Sequence, residues 1–419
     1  VLGMIVLLGI STVLTGNEWI GWMNDLIIFV LLVGILLHNF AQDTGWNFGK
    51  YLAEIVMAVC GAVCFIGKPF ADGGAFYRSK KTGESHAGWY VLIGICAAVP
   101  CLMVLVLLLM SADMVFADLL VRFAGVFRFP AKLFRILLML VFGFLSSYCG
   151  VRYVQKHAAD IKPSAGKTAE PLIAIAFTAP IAVLYLLFSA IQIVYLFIGN
   201  MQLPAGVTYA EYARRGFFQL LFVCVLNLAA VLSIQSYFKE NRVLKALLLA
   251  ISGCTLIMTA SSACRMLLYI RAYQLTFLRV SVLVALAVIA LLMAGVIAKI
   301  VKPQFPLFRY GFVLAGAVYL VFAFSHVDYF IAAYNLTHTS WEASGEETVD
   351  YSYLYTLSTD AAPAIEKYAG KSGAADYRKQ GWYQLYCEAN EEALNETGLR
   401  TYNVSHAVAK QLLMEDNRE

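Results

Sequence analysis

FSAIQIVYLFIGNMQLPAGVTYAEYARRGFFQLLFVCVLNLAAVLSIQSY, residues Phe188–Tyr237, decides how the rest of the chain is read. Two long apolar runs flank a break at Leu203 and Pro204. Thr208 stands three residues before Glu211, the capping-box spacing that satisfies the free N–H groups opening a helix. A second helix is therefore expected to begin at Thr208. Glu211 and Arg215 fall one turn apart, and Tyr209, Tyr212 and Gly216 share the neighbouring face. The pattern predicts a charged and aromatic collar just before Phe217 enters hydrocarbon. Aromatic residues are usual at a membrane boundary, so simple anchoring explains the collar as well as ligand binding does.

Working outward, 61% of the 419 residues are hydrophobic, 14% are charged, and the mean hydropathy is +0.72. Soluble domains carry about a quarter charged residues, so this composition defines an all-α, polytopic transmembrane helix bundle. Apolar spans are read at about 1–14, 20–40, 50–67, 89–110, 133–154, 171–199, 208–238, 243–270, 279–301 and 306–325. Each is near the roughly 20 residues that a bilayer core requires, giving about ten spans. The 50–67 run carries Glu54 and also fits an interfacial or re-entrant helix. Residues 111–132 alternate charge with apolar helical spacing and are expected to lie on the membrane surface. The chain opens at Val1 inside an apolar run, so its first helix is expected to be truncated.

The domain boundary is expected at 325/326. Residues 325–419 hold 15 acidic and 7 basic residues, a net −8, whereas residues 1–324 hold 12 acidic and 24 basic, a net +12. Residues 326–419 are read as a small acidic helical domain outside the bilayer, with Asp350 and Thr359 as candidate caps. Asn335, Asn395 and Asn403 head N-x-S/T triplets, which matter only in a glycosylating host and are taken here as coincidence.

Lysine marks one face. The linkers after spans three, five, seven and nine carry Lys68, Lys80, Lys81, Lys156, Lys162, Lys167, Lys239, Lys245, Lys299 and Lys302, and the alternate linkers carry only Lys50 and Lys132. The Lys-rich face is expected to be cytoplasmic and the acidic tail extracytoplasmic. Arginine follows the opposite bias, with Arg214, Arg215, Arg265, Arg271 and Arg279 among those on the other face. A guanidinium binds phosphate or carboxylate through a planar fork, so this bias points to anion recognition. Lipid anchoring, or ion pairs with Asp113, Asp118, Glu211 and Asp328, explains it equally well.

QIVYLF at Gln192–Phe197, TYAEYARRGFFQL at Thr208–Leu220, SSACRMLLYIRAYQLTFLR ending at Arg279, HVDYFIAAYNL and YLYTLSTDAAPAI together carry a resemblance. They resemble a family of bacterial multi-pass membrane proteins, common in Gram-positive species and classed only as a domain of unknown function. The resemblance implies a bacterial plasma membrane and brings no activity, cofactor or catalytic residue. In the run ending at Arg279 the family pattern has Gly after the second Tyr, where this chain has Gln274. Some relatives carry a carotenoid-cleaving oxygenase label. A four-histidine iron site would have to come from His38, His86, His157, His326, His338 and His406, which are scattered over loops and tail.

Other chemistries find no residues. Every Lys lies near a helix end or in a loop, so a Schiff-base ligand has no deep lysine. No span has a central His for haem, and no HExxH, GxSxG or paired intramembrane Asp appears. The pairs Cys60/Cys64 and Cys96/Cys101 lack CxxC spacing, lie in apolar helices and read as small core residues. No metal, cofactor, catalytic residue or nucleic-acid partner is assigned. Gln192, Gln219, Asn227, Ser233, Gln235, Thr255, Thr259, Ser261 and Ser262 lie within helices, where they either pack helices by hydrogen bonding or line a polar path.

These residues favour a non-catalytic envelope sensor, assembly or accessory protein that binds an anionic ligand or envelope component at its Arg-rich face. A membrane enzyme using Asp113 or Asp118 on a lipid-linked substrate, and a small-molecule transporter, are the rivals. The candidate site is Arg265 facing Arg215, with Tyr269 and Tyr212 as walls, Arg271 and Arg279 nearby, and Thr208 and Glu211 as the supporting collar.

Overall fold

The computed structural model describes residues 1–41, 43, 46–80, 131–157, 167–194, 217–338, 340–341, 347–348, 351–369, 378, 380–395, 398 and 401–415, with single residues between 98 and 116. The described chain is mostly helical, with one two-residue antiparallel pairing, Ser340–Trp341 (β1) with Glu347–Thr348 (β2), and one isolated parallel bridge between Ala169 and Phe238. It forms two compact units, residues 1–31 with 165–419, and residues 32–164.

The larger unit begins with α1 (Leu2–Leu14) and the first part of α2 (Glu18–Phe40). Asn17 starts α2, its Oδ1 accepting the Ile20 amide at 3.1 Å. The unit resumes with α6 (Pro171–Gln192), α7 (Phe217–Tyr237), α8 (Arg242–Tyr273), α9 (Phe277–Val301) and α10 (Leu307–Ala323). Proline at the first position of α6 costs no hydrogen bond. Asn241 and Thr276 cap α8 and α9 with their side chains. At 1.5 Å per residue α8 runs about 48 Å, well beyond a hydrocarbon core of about 30 Å. It is the central helix, packed against α6, α7 and α9. Against α10, Gly295 of α9 leaves room for the ring of Tyr310, which a Cβ would meet at 2.3 Å.

Beyond α10 the chain turns by 58° into α11 (Val327–Thr337), through His326 at φ 46°. The remaining pieces are α12 (Tyr351–Leu354), a 3₁₀ turn (Thr359–Ala361), α13 (Ala362–Tyr368), α14 (Gly381–Ala389), α15 (Glu391–Asn395), α16 (Val404–Lys410) and a π-helical turn (Gln411–Glu415). Ile20, Ala323, Val327, Ile331, Leu354, Ala361, Ile365, Tyr386 and Leu394 form one buried core, so these short helices share apolar packing with α2 and α10.

The smaller unit holds the rest of α2, then α3 (Phe48–Cys64), α4 (Lys68–Lys80) and α5 (Ala131–His157). Arg152 of α5 pairs with Asp72 at 2.7 Å, and Tyr148 donates to the same carboxylate at 2.9 Å.

Among the described residues, six helices are long and apolar enough to cross a membrane: α2, α5 from Arg135, α6, α7, α8 and α9. Counting the bent pairs α3 with the first part of α4, and α10 with α11, the number reaches eight. The expected first span is a 13-residue helix, and the expected fourth span and surface helix lie almost wholly outside the described residues. The 50–67 run does end in a bend, of 63°, as a broken or re-entrant segment would. Cys60 and Cys64, expected in the core, lie exposed on the helix exterior, whereas Cys149, Cys224 and Cys254 are buried.

Candidate functional site

Strict alternation of α6 to α10 places Gln192, Phe217, Tyr273, Phe277 and Ala323 at one end of the larger unit. Lys167, Lys239, Lys245, Lys299 and Lys302 fall at the other, as the linker charges require. From the Arg-rich end a polar seam runs inward along α8. Ser252, Thr255, Thr259, Ser261, Ser262 and Arg265 are buried, while Leu172, Phe177, Leu184, Phe222 and Leu226 stand exposed on α6 and α7. Tyr185 donates to Asn227 Oδ1 at 2.8 Å, and Asn227 Nδ2 donates to Thr255 Oγ1 at 3.0 Å. Nearer the end, Ser261 Oγ donates to Gln192 Oε1 at 2.7 Å, and Arg265 Nη2 reaches the same oxygen at 3.4 Å. The seam joins α6, α7 and α8 by side-chain hydrogen bonds, the packing use of such residues in a bilayer. Gln219 and Ser233 take no part, being exposed.

At the Arg-rich end α8 stops at Gln274, whose φ of 63° and ψ of −176° fall in a region occupied almost only by glycine. The turn therefore forms with glutamine in the glycine position. The Gln274 amide donates to the backbone oxygens of Asn335 (3.2 Å) and His338 (2.6 Å), and Asn335 bonds both the N–H and the C=O of Leu275 at 2.9 Å. These bonds hold a strained turn that costs about 1–3 kcal/mol on its own. Arg279 closes the turn. Its Nη1 donates to the carbonyls of Tyr273, at 2.5 Å, and Gln274, and its guanidinium lies 4.3 Å from the Tyr269 ring centroid. Beside it is a cavity of about 180 Å³ lined by Phe217, Phe218, Met266, Tyr269, Thr276, Leu278, Arg279 and Val282. Among the described residues no carboxylate lines it or pairs with Arg279.

A second polar centre at this end was not foreseen. Asp328 and Asp360 are buried, 2% and 4% exposed. Asp328 does not pair with an arginine, the alternative read from sequence. Its Oδ2 accepts from Asn17 Nδ2 at 2.9 Å and from Ser358 through N (3.1 Å) and Oγ (2.6 Å). Asp360 accepts from Thr15 Oγ1 (2.5 Å) and the Gly16 amide (2.8 Å), and His326 Nδ1 lies 3.5 Å away. Burial pushes the Asp360 carboxyl up, but bonds from His326, Gly16, Ser405 and Thr15 outweigh it and hold the group below the usual carboxylate range. Gly16 is required, because a Cβ there would meet Thr359 Oγ1 at 2.0 Å.

Helix caps build this centre. Asn17 opens α2 with its oxygen and spends its nitrogen on Asp328. Ser358, not Thr359, caps the 3₁₀ turn and donates to Asp328. Asn403 opens α16 with its oxygen, and its nitrogen reaches the Thr12 and Thr15 carbonyls at 3.1 and 2.7 Å, satisfying the C-terminus of α1. Asn335 and Asn403 are thus structural residues. The stretches HVDYF and LSTDAAPAI contained the signal, but their partners in the α1–α2 turn lie more than 300 positions away.

Of the proposed site residues, Arg265 is buried against Gln192, Tyr269 and Arg279 stack at the cavity, and Arg271 is exposed. Thr208, Glu211, Tyr212 and Arg215 lie outside the described residues, as do Asp118 and Asp350. Among the described residues no three of His, Cys, Asp and Glu come together as a metal-holding group.

Helices of spanning length, apolar outside and hydrogen-bonded inside, define a helical integral membrane protein. Residues 2–368 match the family described as Domain of unknown function (DUF4153), and the chain belongs to that family. No curated protein and no solved structure matches it.

Proposed function

We propose that this chain is a non-catalytic membrane protein that binds an anionic amphiphile at the Arg279 cavity and serves as an envelope sensor, assembly or accessory protein. In this reading a phosphate or carboxylate meets Arg279, and hydrocarbon lies along Phe217, Phe218, Leu278 and Val282. Arg271 adds positive charge at the same end, and Arg265 fixes the end of α6 through Gln192. The membrane is a bacterial plasma membrane, with the Lys-rich end cytoplasmic and residues 326–419 extracytoplasmic. The observation that carries this is a guanidinium on the wall of an apolar cavity with no carboxylate among its described lining residues.

The test is thermal unfolding of detergent-purified protein with dodecyl phosphate. A ligand at about 100 times its Kd adds roughly 2.7 kcal/mol, a shift of a few degrees. Dodecyltrimethylammonium should give none, and Val282→Phe, which fills the cavity, should abolish the phosphate effect. Equal stabilisation of wild type and Val282→Phe would refute the site.

A further inference from the structure

The α1–α2 turn and the C-terminal helices meet through one half-exposed histidine on a buried carboxylate. The His326 side chain is 46% exposed and the Asp360 side chain 0%. Solvent protons therefore reach the ring, while its partner holds Thr15 and the Gly16 amide of the α1–α2 turn. His326 is also the hinge between α10 and α11, in the left-handed region that histidine tolerates better than most residues. We propose that His326 and Asp360 form a proton-operated latch, closed onto the α1–α2 turn in mildly acidic and neutral medium and loosened as the medium turns alkaline.

The groups facing the pair are few. On α11, Asp328 lies within electrostatic reach of Asp360. On α14, Tyr386 senses both carboxylates and donates to the Ser358 carbonyl at 2.9 Å. Tyr353 of α12 senses Asp328. The α1–α2 turn brings only Thr15, Gly16 and Asn17, and α16 brings Ser405 and His406. Glu366 of α13 is engaged by Arg378 at 2.9 Å. No cation other than His326 pairs with Asp360 among the described residues.

The sign follows from the two partners. The bond to Asp360 raises His326 above its ordinary value, so its contribution is full below about pH 6.5 and lost as pH rises through the raised value. Asp360 is held below its ordinary value, so its share is present above about pH 4 and lost only on stronger acidification. Alkaline medium thus removes the imidazolium while leaving two neighbouring carboxylates.

Hydrogen exchange on the full chain in detergent micelles tests this, with intrinsic rates corrected for pH. Protection of the Gly16 amide should fall roughly threefold to tenfold between about pH 6 and about pH 8.5. His326→Asn keeps a residue suited to positive φ and should make that protection independent of pH. Asp360→Asn should lower it at both ends of the range. In the unmodified protein, the ¹³C titration of the His326 ring should share its midpoint with the loss of protection. Gly16 protection that ignores pH in the unmodified chain, an unchanged fall in His326→Asn, or distinct midpoints would each overturn the latch.

Discussion

The two ends of the larger unit use the same kinds of residue to opposite effect. At the Lys-rich end, Glu240 meets Lys167 at 3.0 Å and Lys245 at 2.6 Å, and Glu170 meets Lys239 at 3.0 Å, with every partner at least 38% exposed. At the Arg-rich end, Asp328 and Asp360 are buried and answered chiefly by neutral hydroxyl and amide donors. Full ion pairs in water contribute little, because hydration competes and salt screens them. A buried carboxylate with several donors cannot be rehydrated when one is lost, so each bond matters more. Burial, rather than formal charge, decides which end fastens the fold.

The largest expected effect comes from breaking the buried centre. Asp360→Ala strands the Thr15 hydroxyl and the Gly16 amide and should cost about 3 kcal/mol in reversible SDS unfolding. A loss below about 1 kcal/mol would erase the contrast between the ends. Gly16→Ala, which drives a methyl into Thr359, should cost about 2 kcal/mol by the same assay while leaving α1 helical by circular dichroism. The smallest effect belongs to Glu240→Gln, at under about 1 kcal/mol and vanishing in high salt. Hydrogen bonds from Lys245 and Lys167 lower Glu240 to about 2, so its share is present above about pH 4.5 and lost as pH falls through about 2. Salt-independent stabilisation by Glu240 would show the Lys-rich end to be more than a solvated cluster.

Much of this molecule was legible before folding. Composition set the class, and alternation of spans set which linkers share an end; Arg279 lies 4.3 Å from the Tyr269 ring centroid. Seam residues such as Asn227 and Thr255 were visible as polar groups inside apolar helices, because hydrocarbon offers them no other partner. Asp328 was misassigned, since counting charges supplies arginines as partners and cannot supply Asn17 or Ser358. Ser358 was overlooked beside Thr359 because either hydroxyl fits a cap, and only the turn geometry selects one. The strained Gln274 likewise depends on carbonyls of Asn335 and His338, some 60 positions further on.

The sequence by itself determined that this is a helical membrane protein, where its long apolar helices run, and which charges collect at each end. Those properties are local or additive, set by hydrophobic length and by counts of lysine and arginine. The tertiary structure alone decided that Thr15 and Gly16 meet Asp360, that Asn17 meets Asp328, and that a histidine at a helix break lies 3.5 Å from Asp360. A capping side chain announces its near half through the helix it opens. Its far half is free to bond any element that packing brings within 3 Å, and nothing in the neighbouring residues encodes which one that is.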